Sequence, residues 1–239
     1  MEIKLLGIAA SPRHGNTEIF LKEALKGAEE LADVRTKFIT LAGKKIEGGC
    51  RSTYACFKKP NKEHPCGEYQ DDLNEIFLEM LDSDAIIVAS PVYFGGVTAE
   101  LKCLIDRSMA LESIGMALRN KVGGAMAVAY NRNGGIEQTI FQIKQWMDMH
   151  DMVTIGIGPE RPTTGIANYW GAAGLQGYPD PVSTRVDPKG VLEAVKQDYI
   201  GMKAANLLGK RVAEISKVIK AGFDVMEGKT IWPRGALRY

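Results

Sequence analysis

The stretch Ala85-Ile-Ile-Val-Ala-Ser-Pro-Val-Tyr-Phe-Gly-Gly-Val-Thr-Ala-Glu-Leu-Lys-Cys-Leu-Ile-Asp-Arg107 is an apolar run that ends abruptly in a glycine-rich aromatic loop and then takes helical spacing. The run Ala85 to Ala89 reads as a strand covered on both faces, which puts the loop at its carboxyl end. In open α/β sheets that edge holds the ligand, in the crevice where the strand order reverses. Ser90, Pro91, Val92, Tyr93, Phe94 and Gly95 would present backbone amides beside flat apolar surface. Such a wall suits a planar, hydrogen-bonding heterocycle better than a sugar or a metal.

Outward from this centre, strand and helix patterns alternate five times. Ile3 to Ala10 reads as the first, central strand, and Ile19, Phe20, Leu21, Ala24, Leu25 and Ala28 recur at helical spacing up to Glu30. Lys37 to Leu41 is a second strand, and a helix containing Phe77 to Leu81 feeds the third. A helix around Leu101 to Leu111 leads to a fourth strand, Val122 to Ala129; a helix Ile136 to Met149 leads to a fifth, Met152 to Ile157. This alternation predicts an α/β fold, a doubly wound parallel sheet with helices on both faces. Two segments fall outside it: an insertion, residues 43–70, rich in Cys, Lys and Gly, and a Gly/Pro-rich segment, Gly158 to Val186, of the length used for binding or interface loops. An amphipathic helix from about Leu192 to Ala221 would cover the sheet. The aromatic tail Thr230 to Tyr239 would dock on its own domain or reach a neighbouring subunit. The organisation expected is one domain over residues 1–239, with the 43–70 insertion and a 158–239 extension.

With 239 residues, 45% hydrophobic and 25% charged, the chain can build a sizeable core. A net charge of +1 gives no field to gather nucleic acid or an acidic membrane, so neither is expected as a partner. No apolar run approaches the roughly 20 residues of a membrane span, and the amino terminus enters a strand directly instead of a leader, which predicts a cytoplasmic protein.

Two more loops belong to the same edge. Ser11-Pro-Arg-His-Gly-Asn-Thr17 joins the first strand to the first helix, whose amino terminus offers unpaired N–H groups and the positive end of its dipole. Ser11, Asn16 and Thr17 can donate, Arg13 supplies a fork-shaped cation, and Gly15 lets the backbone bend toward an anion. Asn16 or Thr17 could instead simply cap the helix. The GxxxxGK pattern does not occur in this loop, so a monophosphate fits better than a triphosphate. After the fourth strand, Tyr130 can stack, Asn131 or Arg132 can hydrogen-bond the heterocycle or its chain, and Gly134 and Gly135 permit close approach.

These three loops, with Leu101-Lys102 and Ile105-Asp106-Arg107, resemble the NADPH-dependent FMN reductase and iron-sulfur flavoprotein group of flavodoxin-like proteins over residues 1 to about 157. The resemblance implies a five-stranded sheet in the order 2-1-3-4-5, FMN with its phosphate in the first loop and its ring against the other two, NAD(P)H as electron donor, and homo-oligomers, dimers or tetramers. The flavin would carry the chemistry, and no catalytic acid or base is assigned. His14, His64 and His150 are scattered and read as surface or capping groups.

Cys50, Cys56 and Cys66 lie where iron-sulfur flavoproteins carry four cysteines, the first three spaced Cys-x-x-Cys-x-x-Cys. Thr53 stands at the second position. Three readings follow: an iron-sulfur cluster held by three thiolates with a non-cysteine or vacant fourth site, zinc in a Cys3His set with His64, or a metal-free loop. Cys103, between Leu101 and Ile105, reads as a small buried hydrophobe. Arg161 to Gly165 and Asn168 to Gly171 could form a lid, with Tyr169 and Trp170 stacking on the ring or anchoring the loop. The expected function is FMN-dependent electron transfer from NAD(P)H or a protein donor to a quinone, flavin, metal or carrier; the alternative is a non-enzymatic flavoprotein carrier between redox partners.

Overall fold

The computed structural model describes residues 2–158, 168–176, 192–226, 229, 230 and 232. The strands β1 (Ile3–Ala9), β2 (Val34–Thr40), β3 (Ala85–Pro91), β4 (Val122–Ala129) and β5 (Val153–Ile155) form a parallel sheet in the order β2-β1-β3-β4-β5. The helices are α1 (Asn16–Glu29), α2 (Ala55–Lys58), α3 (Leu73–Asp82), α4 (Ala99–Arg107), α5 (Met109–Glu112), α6 (Ile136–Met149) and α7 (Tyr199–Val225), the last preceded by a 3₁₀ turn, Ala194–Gln197. The central strands read as unbroken apolar runs because both faces are covered. Leu6, Ile8, Ile86 and Val88 point into a core shared with α3, α4 and α6, while Leu5, Ala9, Ile87 and Ala89 point into the core under α1 and α7.

The fifth strand departs from its expected extent. Pairing with Val122 to Gly124 stops at Ile155, and a separate strand β6 (Ala172–Leu175) takes up the same edge against Met126 to Ala129. Gly156 marks the break: the Tyr169 carbonyl lies where a Cβ would stand, so backbone displaces backbone from the ladder. Ile157 and Asn168 close the neck of the excursion with two hydrogen bonds of 3.0 and 3.1 Å. The expected lid residues Arg161 to Gly165 lie outside the described residues. The helix expected over Leu101 to Leu111 is two helices, turned at Ser108, whose hydroxyl is bound to the Ile105 carbonyl. Trp232 of the tail lies on the chain's own Arg119, ring to guanidinium at 4.5 Å.

His150 is not a surface group: it follows α6 and is buried. Ser108 donates its single proton to Ile105, so the 2.8 Å contact makes His150 Nε2 the donor, and Nδ1 is left buried with no hydrogen-bond partner. Burial holds the imidazole neutral with its pKa lowered to about 4. The unfolded chain binds a proton below about 6.5, so stability from this group is complete above that pH and falls as the pH drops toward 4. The loss expected across this window is about 3 kcal/mol. Urea unfolding between pH 7 and 4 should show a slope that His150→Phe flattens; equal slopes in both proteins would refute the assignment.

Candidate functional site

The carboxyl ends of β1, β3 and β4 bring the three loops together around a cleft of about 200 Å³. Ser11, Arg13, Asn16 and Thr17 line one side, Pro91, Val92 and Tyr93 another, and Tyr130 a third. Gly15 is the N-cap of α1, and no side chain among the described residues caps the helix there. The simple capping roles of Asn16 and Thr17 are therefore not used. Asn16 Oδ1 instead accepts from the Val195 amide at 2.9 Å, which ties the carboxyl-terminal segment to the loop. Gly15 has φ +141°, and a Cβ there would stand 2.9 Å from the Leu192 carbonyl. Ser11 Oγ folds the loop on itself, accepting from Arg13 N and donating to Arg13 O. Arg13 stands exposed at the mouth, and His14 pairs with Glu18 at 2.8 Å.

The second loop is a tight turn closed by reciprocal Tyr93 and Gly96 bonds of 2.9 and 3.1 Å. Its two central residues, Phe94 and Gly95, both have positive φ, as turns of this kind require. A phenylalanine there is strained, and its ring is fully exposed. Ser90 is completely buried, its hydroxyl donating to the Pro91 carbonyl, so it braces the loop from beneath. Gly135 rests on Gly95: a Cβ on Gly135 would lie 2.7 Å from the Gly95 Cα, which joins the second loop to the third. Gly134 N closes the third loop on the Asn131 carbonyl at 3.0 Å, and Asn131 and Arg132 are exposed at its outer side. The Trp170 ring meets Phe141 of α6 at a tilt, centroids 4.9 Å apart, an anchoring contact, and both Tyr169 and Trp170 remain exposed.

The insertion forms a second, narrow cavity of about 20 Å³. Its lining includes Cys50, Thr53, Cys56, Cys66, Glu68 and Arg107. All four cysteines of the chain are free thiols. Arg107 and Asp71 form a bidentate pair at 2.6 and 2.7 Å, both side chains wholly buried. Burial opposes the Arg107 charge, but Asp71 and then the neighbouring Cys66 outweigh it, and its pKa is raised. Its Nε–H is buried without a hydrogen-bond partner. In donor type and charge, three sulfurs and a buried cation with an unspent donor match what an anionic iron-sulfur cluster requires. A single zinc ion fits less well. Among the described residues no three His, Cys, Asp or Glu stand close enough for one ion, and His64 Nε2 lies 3.2 Å from the Tyr69 carbonyl and is not part of the cavity wall. Cys103 sits half-buried on α4, its thiol pushed up by burial.

Several residues that build these sites were not singled out in the sequence. Thr98 caps α4 and donates to the Ala10 carbonyl at 2.7 Å, binding the first loop to the second. Thr-Ala-Glu-Leu before a helical run carried that signal. Asn74 receives the Cys66 amide at 2.8 Å and donates to the Tyr69 carbonyl, fixing the turn that presents Cys66. Leu192 and Gln176 reach the cleft from distant segments, with no local signal.

The sequence profile of the NADPH-dependent FMN reductase family matches residues 3–158. An iron-sulfur flavoprotein of Methanocaldococcus jannaschii is 41% identical over 219 residues, covering 91% of this chain and 100% of that protein. An iron-sulfur flavoprotein of Archaeoglobus fulgidus is 34% identical over 212 residues, covering 88% and 96%. The flavodoxin WrbA-like protein of Agrobacterium tumefaciens superposes with a TM-score of 0.60 at 15% identity, over 91% of this chain and 99% of that one, which supports the flavodoxin-like fold. With strand order, loop placement and sequence in agreement, the chain belongs to the NADPH-dependent FMN reductase family.

Proposed function

We propose that FMN binds in the cleft at the strand ends and that the chain passes electrons through it from NAD(P)H or a protein donor to a quinone, flavin, metal ion or carrier. The observation that carries this reading is the convergence of three loops on one cleft, with a helix start on one side and the Pro91 to Tyr93 wall on the other. The phosphate would meet the N–H groups of the first turn of α1, the Thr17 hydroxyl and the Arg13 guanidinium, with Ser11 bracing the loop that presents them. Gly15 is required because Leu192 closes over it. Pro91, Val92, Tyr93 and Tyr130 would bound the ring, with Phe94 and Gly95 at the tip of the turn and Asn131, Arg132, Gly134 and Gly135 at its rim. FMN, when bound, supplies the redox chemistry, and these residues bind it, orient it and exclude water around it.

Arg13→Ala with Thr17→Val is expected to weaken FMN binding by about 3 kcal/mol, a factor of ~100 in Kd, from the loss of two charge-assisted hydrogen bonds. Unchanged affinity in fluorescence titration would remove the phosphate from this loop. The enzymatic reading is tested by anaerobic titration with NADPH and NADH, either of which should bleach the flavin bands. A flavin that dithionite bleaches and both nucleotides leave oxidised would favour the second reading, a carrier between proteins, which the cysteine cavity also supports. The proposal includes a homo-oligomer, dimer or tetramer, since Phe94, Tyr169 and Trp170 are exposed aromatics. Light scattering at micromolar concentration should exceed the 26.1 kDa of one chain.

A further inference from the structure

The cysteine cavity has one corner without sulfur, and the side chains there are coupled to each other. Thr53 stands three residues from both Cys50 and Cys56, where a second thiolate would complete the set. Its Oγ1 donates to Glu68 Oε2 at 2.8 Å. Glu68 lines the same cavity as Cys50, Cys56 and Cys66 and is only two residues beyond Cys66. Its side chain is 24% exposed, and its Oε1 lies 3.7 Å from Arg51, another residue of the cavity wall.

We infer that Glu68 is the fourth ligand of a 4Fe–4S cluster held by Cys50, Cys56 and Cys66, and that Thr53 fixes the carboxylate for this task. The inference rests on the reading that the three cysteines bind a cluster. Its chemistry is that of charge and donor type. Three thiolates and one carboxylate carry the same total charge as four thiolates, so the substitution at position 53 leaves the electrostatic balance of the site intact. The buried Arg107 and the exposed Arg51 supply the compensating cations. A threonine hydroxyl alone is a neutral, weak donor for iron. Its hydrogen bond to Glu68 gives it a different role, that of a positioning residue whose acceptor is the ligand. An oxygen ligand is harder than sulfur, so this corner holds its iron less firmly than the other three.

The test uses the full chain, loaded anaerobically with ferrous iron and sulfide, and reads iron, sulfide and FMN per chain together with the EPR spectrum before and after dithionite. The wild-type protein is expected to hold about four iron atoms. Glu68→Gln is expected to hold about three, with a 3Fe–4S signal before reduction and unchanged FMN content. Thr53→Cys added to Glu68→Gln is expected to restore the fourth iron, because a thiolate then occupies the open corner. A Glu68→Gln protein with four irons and the wild-type spectrum would overturn the ligand assignment while leaving the cluster in place. Iron lost in Glu68→Gln and not restored by Thr53→Cys would overturn it as well. A wild-type chain that takes up no iron would refute the underlying cluster reading, and the inference with it.

Discussion

Asp71→Ala is expected to destabilise the fold by about 3 to 5 kcal/mol, because it strands the Arg107 charge in a fully buried site. Both oxygens of Asp71 meet the guanidinium, and the same carboxylate accepts the amides of Glu47 and Leu73. Arg107 in turn reaches the Gly48 carbonyl at 3.4 Å and stacks on Tyr69 at 4.4 Å, whose hydroxyl holds the Gly49 carbonyl. The two ends of the cysteine insertion are thus gathered on one ion pair, and its loss should open the 43–70 segment to proteolysis as well as lower the urea midpoint. Burial acts to raise the Asp71 pKa, but Arg107 and the donated amides hold it below the usual carboxylate value. The pair's contribution is therefore complete at neutral pH and lost as acid protonates Asp71. Replacing both partners, Asp71→Leu with Arg107→Met, should recover much of the stability without restoring the insertion, since neither charge is then left unpaired. A loss below ~1 kcal/mol in the single variant, the range of a solvated surface pair, would contradict this account.

The second large effect lies where α1 crosses α7. Gly209 faces the Ala24 carbonyl and Gly27 faces the Asn206 carbonyl so closely that a Cβ at either position would fall well inside van der Waals contact with backbone. No rotamer can relieve that overlap, so the helices must separate and the core of Phe20, Leu21, Leu208 and Val212 must open with them. Gly209→Ala, ordinarily favourable in a helix, is expected to cost about 3 kcal/mol here. Gly222 on the same helix has nothing within 4 Å of the added carbon, and Gly222→Ala should stabilise by roughly 0.5 kcal/mol through helix propensity. Opposite shifts in Tm for one chemical change on one helix are the expected result. Shifts of the same sign would mean that the crossing is looser than described.

The sheet was legible because its strands are buried on both faces and announce themselves as apolar runs: Val122 to Ala129 and the helix Ile136 to Met149 were read to the residue. The strand order came from the resemblance to a known family, and the observed sheet agrees with it. The split of the last edge into β5 and β6 was hidden, since Ala172 to Leu175 is too short and too small in its side chains to show a strand pattern, and what ends β5 is a carbonyl from Tyr169. In the cleft, residues at strand ends were found from local sequence, and those arriving from elsewhere, Leu192 and Gln176, were not. Asn16 shows the limit most clearly. Its type and position suggested a phosphate donor or a helix cap, and its side-chain oxygen serves an amide 179 residues away. The Asp71 and Arg107 pair was equally silent, because 36 residues separate partners that only the packed insertion brings together.

FMN held by the three loops should show in the absorption spectrum of the protein purified without oxygen, with FMN released on denaturation and counted per chain. Flavin bands and about one FMN per chain are expected, falling sharply in Arg13→Ala with Thr17→Val. A colourless protein that refuses added FMN would contradict this assignment.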